Sequence, residues 1–390
     1  MPRPQPERAG DNRIVAWERS YIEIVRAVYA LSQKLLQIAG MPLKTESHVI
    51  LSTGLQRFAG ALFVAAGVAP AMADEWAKSL VWANLRGVDS HGVLRIPGYI
   101  ERLKTNAINP TPNMRVEKRA GAIALLEADR APGAVAMAMA MAEAMACARE
   151  VHVGWCAARN ITHAGAVGYF ALQAANAGMA GIVMSASSGT DDGLPRRQGR
   201  RRLEQSARDR LPGQEPTAAV DRHVHVECRH GESDERTRCR ARDSAGLGLD
   251  AQGRDTTDPR KLATLLPLGG AKGSGLSFMI ECLCSLTVDN PIIAPALAAG
   301  GKLDAPFLNG VAIALDLAAF GDREHILGEA DRLARLIAGL PPADRVERIY
   351  LPGERGDSIL QARMREGIPL PQGTWSRLLA CAKALAVAPP

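Results

Sequence analysis

Residues 133–186 read GAVAMAMAMAEAMACAREVHVGWCAARNITHAGAVGYFALQAANAGMAGIVMSA. The Ala/Met-rich run Gly133–Arg149 has the length and composition of a buried helix, and Val151–Ala157 is strand-like. The polar turn Asn160-Ile161-Thr162-His163-Ala164-Gly165 follows, then a helix through Tyr169, Leu172 and Ala175, then a short apolar strand at Gly181–Ser185. Helices and strands that alternate between short Gly/Pro breaks argue for an α/β fold.

Outward from this stretch the alternation continues. On its N-terminal side, Ala122–Leu126 is strand-like. Leu51, Leu55, Phe58, Leu62 and Phe63 recur at helical spacing. Pro70 opens a second helix through Trp76, Leu80 and Trp82 towards Gly87. On the C-terminal side, Leu265–Gly275 opens a helix through Met279, Leu283 and Leu286, and Val311–Leu317 is a strand by its apolar content. Helical periodicity over Ile326–Leu340, a strand at Val346–Leu351, the break Pro352-Gly353-Glu354 and two closing helices complete the chain. Near the N-terminus, Ile22, Val25, Tyr29, Leu31 and Leu35 line one side of an amphipathic helix. Glu23, Arg26 and Lys34 interrupt it, so it is neither a signal sequence nor a membrane span.

The 390 residues are enough for two or three domains at about 150 residues each. Apolar residues at 47% and charged residues at 23% exclude wholesale disorder, collagen and a membrane bundle. A net charge of +6 is mild for this length and does not imply nucleic acid. Seven cysteines, an odd number scattered among apolar runs, fit a reducing, cytoplasmic compartment.

The pattern breaks between Gly189 and Ala245. These residues contain no Phe, Trp, Tyr, Ile, Met or Lys, yet hold 13 arginines. No core can be built from such a composition, and a long structureless insert inside an α/β domain is improbable. His223, His225, Cys228, His230 and Cys239 invite a zinc reading, but their spacing matches no standard module and no apolar shell surrounds them. The 11 acidic residues in the stretch and its lack of aromatics argue against RNA binding.

Three motifs carry chemistry. Asp89-Ser90-His91-Gly92-Val93-Leu94-Arg95 packs a carboxylate, a hydroxyl, an imidazole and a guanidinium into seven residues at a helix-to-loop junction. Arg95 offers the planar fork that grips a carboxylate, and His91 and Ser90 can exchange a proton or hydrogen bond with a neighbouring hydroxyl. That is equipment for a 2-hydroxy or 2-oxo acid; the bland alternative is a helix C-terminus with Arg95 paired to Glu101 or Asp89. His163 follows Asn160 and Thr162, either of which could cap the next helix, whose dipole would lower the histidine's pKa and suit it to act as a general base. A structural histidine at a helix start is the competing reading. Gly269-Gly270-Ala271-Lys272-Gly273-Ser274-Gly275 places backbone N–H groups and an ammonium at a helix start, a ready anion site, or else simply a tightly packed turn. It is neither a Walker A loop nor a dinucleotide fingerprint, so an ordinary Rossmann domain is disfavoured.

Leu85-Arg86-Gly87-Val88-Asp89-Ser90-His91-Gly92-Val93-Leu94-Arg95-Ile96-Pro97-Gly98-Tyr99 resembles the signature of the malate/L-lactate dehydrogenase family. The likeness extends through Asn160–Gly165, Leu266–Gly273 and Leu351–Glu354, in the family's order, over about residues 45–188 and 247–385. The resemblance implies a non-Rossmann α/β fold, a homodimer, and hydride transfer between NAD or NADP and a small 2-hydroxy/2-oxo acid, without nucleic acid or membrane partners. It implies that His163 or His91 handles the proton and that Ser90 and Arg95 bind substrate. Ser187, Lys272, Gly273, Gly353 and Glu354 would contact the cofactor, and no metal is implied. On this reading residues 1–40 are an extension outside the fold. Residues 41–120 with 320–390 form a helical substrate domain, and 121–319 a cofactor domain interrupted at 189–245. Family members carry a further cofactor-binding strand and helix where this chain has 189–245. We therefore expect two compensating frameshifts there, a true start near Met41, and, if the segment is genuine, an inactive relative that only dimerises or binds.

Overall fold

The computed structural model describes residues 47–186, 271–298, 307–342 and 348–390, with short pieces between 248 and 265 and at 346. The amphipathic N-terminal segment, Ser187, the 189–245 stretch with its His/Cys cluster, and Leu266–Gly270 lie outside the described residues. The chain divides into two compact units. One holds residues 45–326 and 356–390, and the described part of the other is 327–342, 346 and 348–355.

The first unit is α/β, as expected. Strand β1 (Ser47–Ile50) leads into α1 (Ser52–Ala65) and α2 (Pro70–Leu85), the latter with proline in its first turn. Leu55, Phe58, Leu62 and Phe63 from α1 and Trp76 and Leu80 from α2 are buried together. Phe63 and Trp76 stack with ring centroids 4.0 Å apart. Helix α3 (Ile96–Lys104) adds Tyr99, whose ring lies 4.9 Å from Trp76. This helical layer carries the Asp89–Arg95 turn.

Next come β2 (Arg115–Ala120), β3 (Ile123–Glu127), α4 (Gly133–Val151), β4 (Val153–Ile161), α5 (Gly168–Asn176), β5 (Met179–Ala186), the two-residue pair β6 (Gly248–Leu249) and β7 (Thr264–Leu265), α6 (Ala271–Cys284), α7 (Ile293–Ala298) and β8 (Leu308–Asp316). The main sheet has the order β2-β3-β4-β8-β5. Only β3 and β4, joined through the crossover helix α4, are parallel; the other neighbours run antiparallel. This mixed order is not a doubly wound parallel sheet, in keeping with the missing dinucleotide fingerprint.

Alternation along the strands divides the core. Ala124, Leu126, Cys156, Ala158, Ala312 and Ala314 face the large cluster that contains α4, while Ala157, Val311 and Ala186 pack with Cys284 of α6. The central strands are thus buried on both faces and read as continuous apolar runs. Close packing explains the alanines of α4, because a Cβ on Gly154 would collide with the Ala144 carbonyl.

Several boundaries differ from expectation. Strand β4 starts at Val153 and reaches Ile161, because His152 ends α4 in the left-handed region (φ +67°) and shifts the strand two residues on. The β1–β9 pair, with β9 at Ile368–Pro371, was not anticipated, nor was β2. Such short edge segments carry no period of their own and are defined by their partners.

Helix α8 (Arg323–Ala338) begins in the first unit and runs into the second, and α9 (Glu354–Glu366) does the reverse; α10 (Gln372–Ala384) closes the first. The strand expected over Val346–Leu351 is absent among the described residues there. Local bonds take its place: the Glu354 carboxylate accepts from the Leu351 N–H at 3.0 Å and pairs with Arg348, whose guanidinium lies 4.4 Å over the Tyr350 ring.

Candidate active site

Helix α2 ends at a left-handed glycine, Gly87 (φ +77°), and the chain then makes two successive 3₁₀ turns, Asp89–His91 and Val93–Arg95. So short a polar turn has no hydrophobic period to hold it, and its order comes from side chains elsewhere. Asn84 accepts from the Val93 N–H through Oδ1 at 2.8 Å and donates from Nδ2 to Asp89 Oδ1 at 2.7 Å. Arg363, reaching in from α9, donates to both Asp89 oxygens at 2.7 and 3.1 Å and to the Asn84 carbonyl. Six residues earlier in α9, Asp357 pairs with Arg86 at the end of α2. A Cβ at Gly92 would overlap the Asn84 amide, so only glycine fits there.

The turn therefore holds three polar groups in fixed relation. Ser90 Oγ lies 2.9 Å from Nδ1 of the buried His91, and Arg95 Nε donates to the Ser90 carbonyl at 2.7 Å. Asp89 is engaged by Arg363, and Glu101 pairs with Lys104 at 2.8 Å.

The second histidine comes from the far end of β4. His163 stacks beside His91, with ring centroids 5.5 Å apart and planes inclined by 24°. Tyr99 Oη lies 2.7 Å from His163 Nδ1. Both histidines expected to act on a proton thus share one site with Ser90 and Arg95, and Tyr99 joins them. The sequence reading missed Tyr99 as a site residue, although it stands only four residues beyond Arg95, in the first turn of α3.

The expected capping by Asn160 and Thr162 does not occur. Helix α5 starts at Gly168, too far along the chain, with no side-chain cap. Thr162 Oγ1 instead accepts from the Gly133 N–H at 3.0 Å and donates to the Ala131 carbonyl at 2.9 Å. It supplies the first turn of α4, whose own preceding residue is Pro132 and has no hydroxyl to offer. A Cβ at Gly133 would collide with the Thr162 and His163 carbonyls, so the positive end of the α4 dipole, not that of α5, lies against this turn.

Helix α6 begins at Ala271 as expected, with Lys272 exposed in its first turn and Gly273 buried, its carbonyl accepting from Ser277 Oγ at 2.9 Å. Gly353 is left-handed (φ +87°) and adjoins the Glu354 bonds described above, in the other unit. No group of His, Cys, Asp and Glu among the described residues could hold a metal ion. Nor is any described helix long and apolar enough to cross a membrane.

A nicotinamide dinucleotide needs cations for its phosphates and open backbone against its flat rings. Groups of both kinds are present among the described residues: Lys272 is an exposed ammonium at a helix start, and Gly165, two residues after His163, has open space where a Cβ would lie.

The mixed α/β fold sets two histidines, a tyrosine, a serine and an arginine in one cluster, and the family model and relatives that the chain matches are those of hydroxy-acid oxidoreductases. The chain belongs to the malate/L-lactate dehydrogenase family, whose model matches residues 50–202 and 234–379. It is similar to the NAD(+) ureidoglycolate dehydrogenase of Escherichia coli, 29% identical over 308 residues that cover 78% of this chain and 87% of that one. L-sulfolactate dehydrogenase of Methanocaldococcus jannaschii is also 29% identical, over 314 residues, 77% of this chain and 87% of that one. Among solved structures, malate dehydrogenase of Pyrococcus horikoshii shares the fold with a TM-score of 0.71 at 22% identity, covering 90% of this chain and 99% of that one.

Proposed function

We propose that this chain is a 2-hydroxy-acid dehydrogenase that exchanges a hydride between NAD or NADP and a small acid of the malate, lactate, sulfolactate or ureidoglycolate type. The observation that carries the reading is the meeting of His163, Tyr99, His91, Ser90 and Arg95, drawn from two distant stretches of chain.

Arg95, oriented through Nε by the Ser90 carbonyl, holds the substrate carboxylate. His163 takes the hydroxyl proton in oxidation and returns it in reduction. In the tautomer whose Nδ1–H donates to Tyr99 Oη, the Nε2 lone pair receives the proton. His91, with Ser90 on Nδ1, stacks against that ring and lines the acid's side of the site. When bound, the nicotinamide supplies the hydride acceptor or donor. Lys272 and Gly273 at the start of α6, with Ser187, are the residues we assign to hold it. The chain works as a cytoplasmic homodimer without nucleic acid or membrane partners.

The composition of residues 189–245 favours one other reading, that of a family member with a damaged cofactor domain; the family model passes over 203–233. An activity screen of malate, lactate, sulfolactate and ureidoglycolate with each nicotinamide cofactor decides between them. Turnover with one pair supports the enzyme. No turnover, with no rise in melting temperature at millimolar NAD(H) or NADP(H), leaves the damaged reading. Sequencing the coding DNA across codons 180–250 tests the frameshift directly.

A further inference from the structure

Three asparagines from separate parts of the chain meet at the end of β4. Asn160 sits there in the left-handed region (φ +55°), at the point where the pairing of β4 with β8 slips between Ala158 and Ile161. Its Nδ2 reaches both oxygens of Glu127, at 3.1 and 3.0 Å, and its Oδ1 accepts from Asn290 Nδ2 at 3.0 Å. Asn290 Nδ2 also donates to Asn309 Oδ1 at 2.9 Å, and Asn309 Nδ2 returns a bond to the Asn290 carbonyl at 2.8 Å. Asn309, fully buried on β8, accepts from the Asn160 N–H at 3.3 Å as well.

A left-handed residue ahead of a functional turn is strained unless its surroundings over-determine it. Here they do, and the consequence runs along the chain. With Asn160 fixed, Ile161 is buried in the core, Thr162 is pinned between Ala131 and Gly133, and His163 emerges towards Tyr99 and His91. Asn290 stands six residues beyond the end of α6, the helix whose first turn carries Lys272. Helix α6, the 3₁₀ turn Leu286–Val288 and the left-handed Asp289 thus lead from Lys272 to Asn290, whose side chain bonds the residue three before His163.

We propose that Asn290 is a positioning residue for the proton-transfer step: its amide N–H₂, shared between Asn160 and Asn309, sets the orientation of His163 and ties it to helix α6. The inference rests on the assignment of His163 as the proton acceptor. The amide is the essential feature, because the group must donate twice towards two carbonyl-type oxygens. Aspartate has the same shape but, when ionised, offers only acceptors to those oxygens.

The test is Asn290→Asp, with Asn290→Ala as a second variant and Ser285→Ala as a control. Ser285 is also buried just beyond α6, but it bonds Glu281 at 2.8 Å and not Asn160. The readout is the titration of His163 by NMR of histidine-labelled protein, assigned with a His163→Gln variant and measured without substrate. Asn290→Asp and Asn290→Ala should move that titration by roughly half a pH unit or more, and Ser285→Ala should leave it in place while lowering the melting temperature. If the protein turns over, the two Asn290 variants should also lower kcat about 10-fold or more with KM for the cofactor unchanged. A His163 titration unchanged in either folded Asn290 variant overturns the proposal. Because the titration needs no turnover, the two failures are distinguishable: absence of dehydrogenase activity in the parent refutes the functional assignment and with it the proton-transfer role, whereas an unchanged titration refutes the coupling of Asn290 to His163.

Discussion

Tyr99 Oη lies 2.7 Å from Nδ1 of His163, a contact made across 64 residues of chain. It joins the helical layer to the end of β4. A histidine held at one ring nitrogen has its other nitrogen aimed. Removing the imidazole by His163→Ala should lower kcat/KM by about 10²–10⁴-fold, the usual worth of a positioned acid/base group. Tyr99→Phe keeps the ring packing against Trp76 and loses only the hydroxyl, so its loss should be smaller and fall mainly on kcat. Steady-state kinetics with the substrate found in the screen checks both.

Arg95→Lys keeps the charge and removes the fork. Bidentate recognition depends on the planar guanidinium, so KM for the acid should rise about 10-fold or more while cofactor binding, read by its effect on melting temperature, stays as it was. Equal KM values for the variant and the parent would remove Arg95 from substrate binding.

Arg363→Met should act at a distance. The Arg363 guanidinium joins two Asp89 oxygens and the Asn84 carbonyl, so its loss leaves the Asp89–Arg95 turn without its brace from α9. A stability loss of about 1–3 kcal/mol is expected from denaturant unfolding, as for hydrogen bonds to charged groups, together with lower activity. The double variant with Asp89→Asn should be less damaging than the sum of the two single changes, since both remove the same contact.

Gly133→Ala tests the coupling between α4 and the histidine turn. The added methyl would collide with the Thr162 and His163 carbonyls, and backbone cannot yield as a flexible side chain does. We expect at least about 2 kcal/mol of destabilisation, well above an exposed helical Gly→Ala change, which stabilises. A melting temperature equal to the parent's would contradict the geometry.

The thiols divide by burial. Desolvation first, and the nearby Glu143 carboxylate second, push the Cys156 thiol up to about 12; Cys284 is likewise pushed up to about 12, by burial and then Glu281. At pH 8 both remain protonated in the folded state, and alkylation followed by peptide mass spectrometry should modify the half-buried Cys282 before either. In the unfolded chain all should react alike. Because the folded-state pKa of each is raised, folding keeps the full contribution below the unfolded value near 9. It loses that contribution as pH climbs towards 12, so the melting temperature should fall across that interval.

Periodicity made the helices and the central strands legible. Leu55, Phe58 and Leu62 mark α1 because a helix buries one stripe, and the apolar β3, β4 and β8 mark a sheet covered on both faces. The short strands β1 and β9 were not legible, since four residues carry too little period and each is a strand only because the other pairs with it. The expectation that Asn160 and Thr162 would cap the following helix failed for a related reason. A cap is recognised by adjacency in sequence, whereas Thr162 serves the start of α4, some 30 residues earlier in the chain.

By itself, then, the sequence determined the α/β class, the chemical inventory of Ser90, His91, Arg95 and His163, and the family to which their motifs belong, because those depend on residue type and local spacing. Only the tertiary structure decided that His91 and His163 stack, that Tyr99 holds the second histidine, and that Arg363 and three asparagines hold the two turns in place. Those relations are hydrogen bonds and ring contacts between residues far apart in the chain, and no local pattern encodes the closure of a sheet and helix layer that brings them within 3 Å or within ring contact of one another.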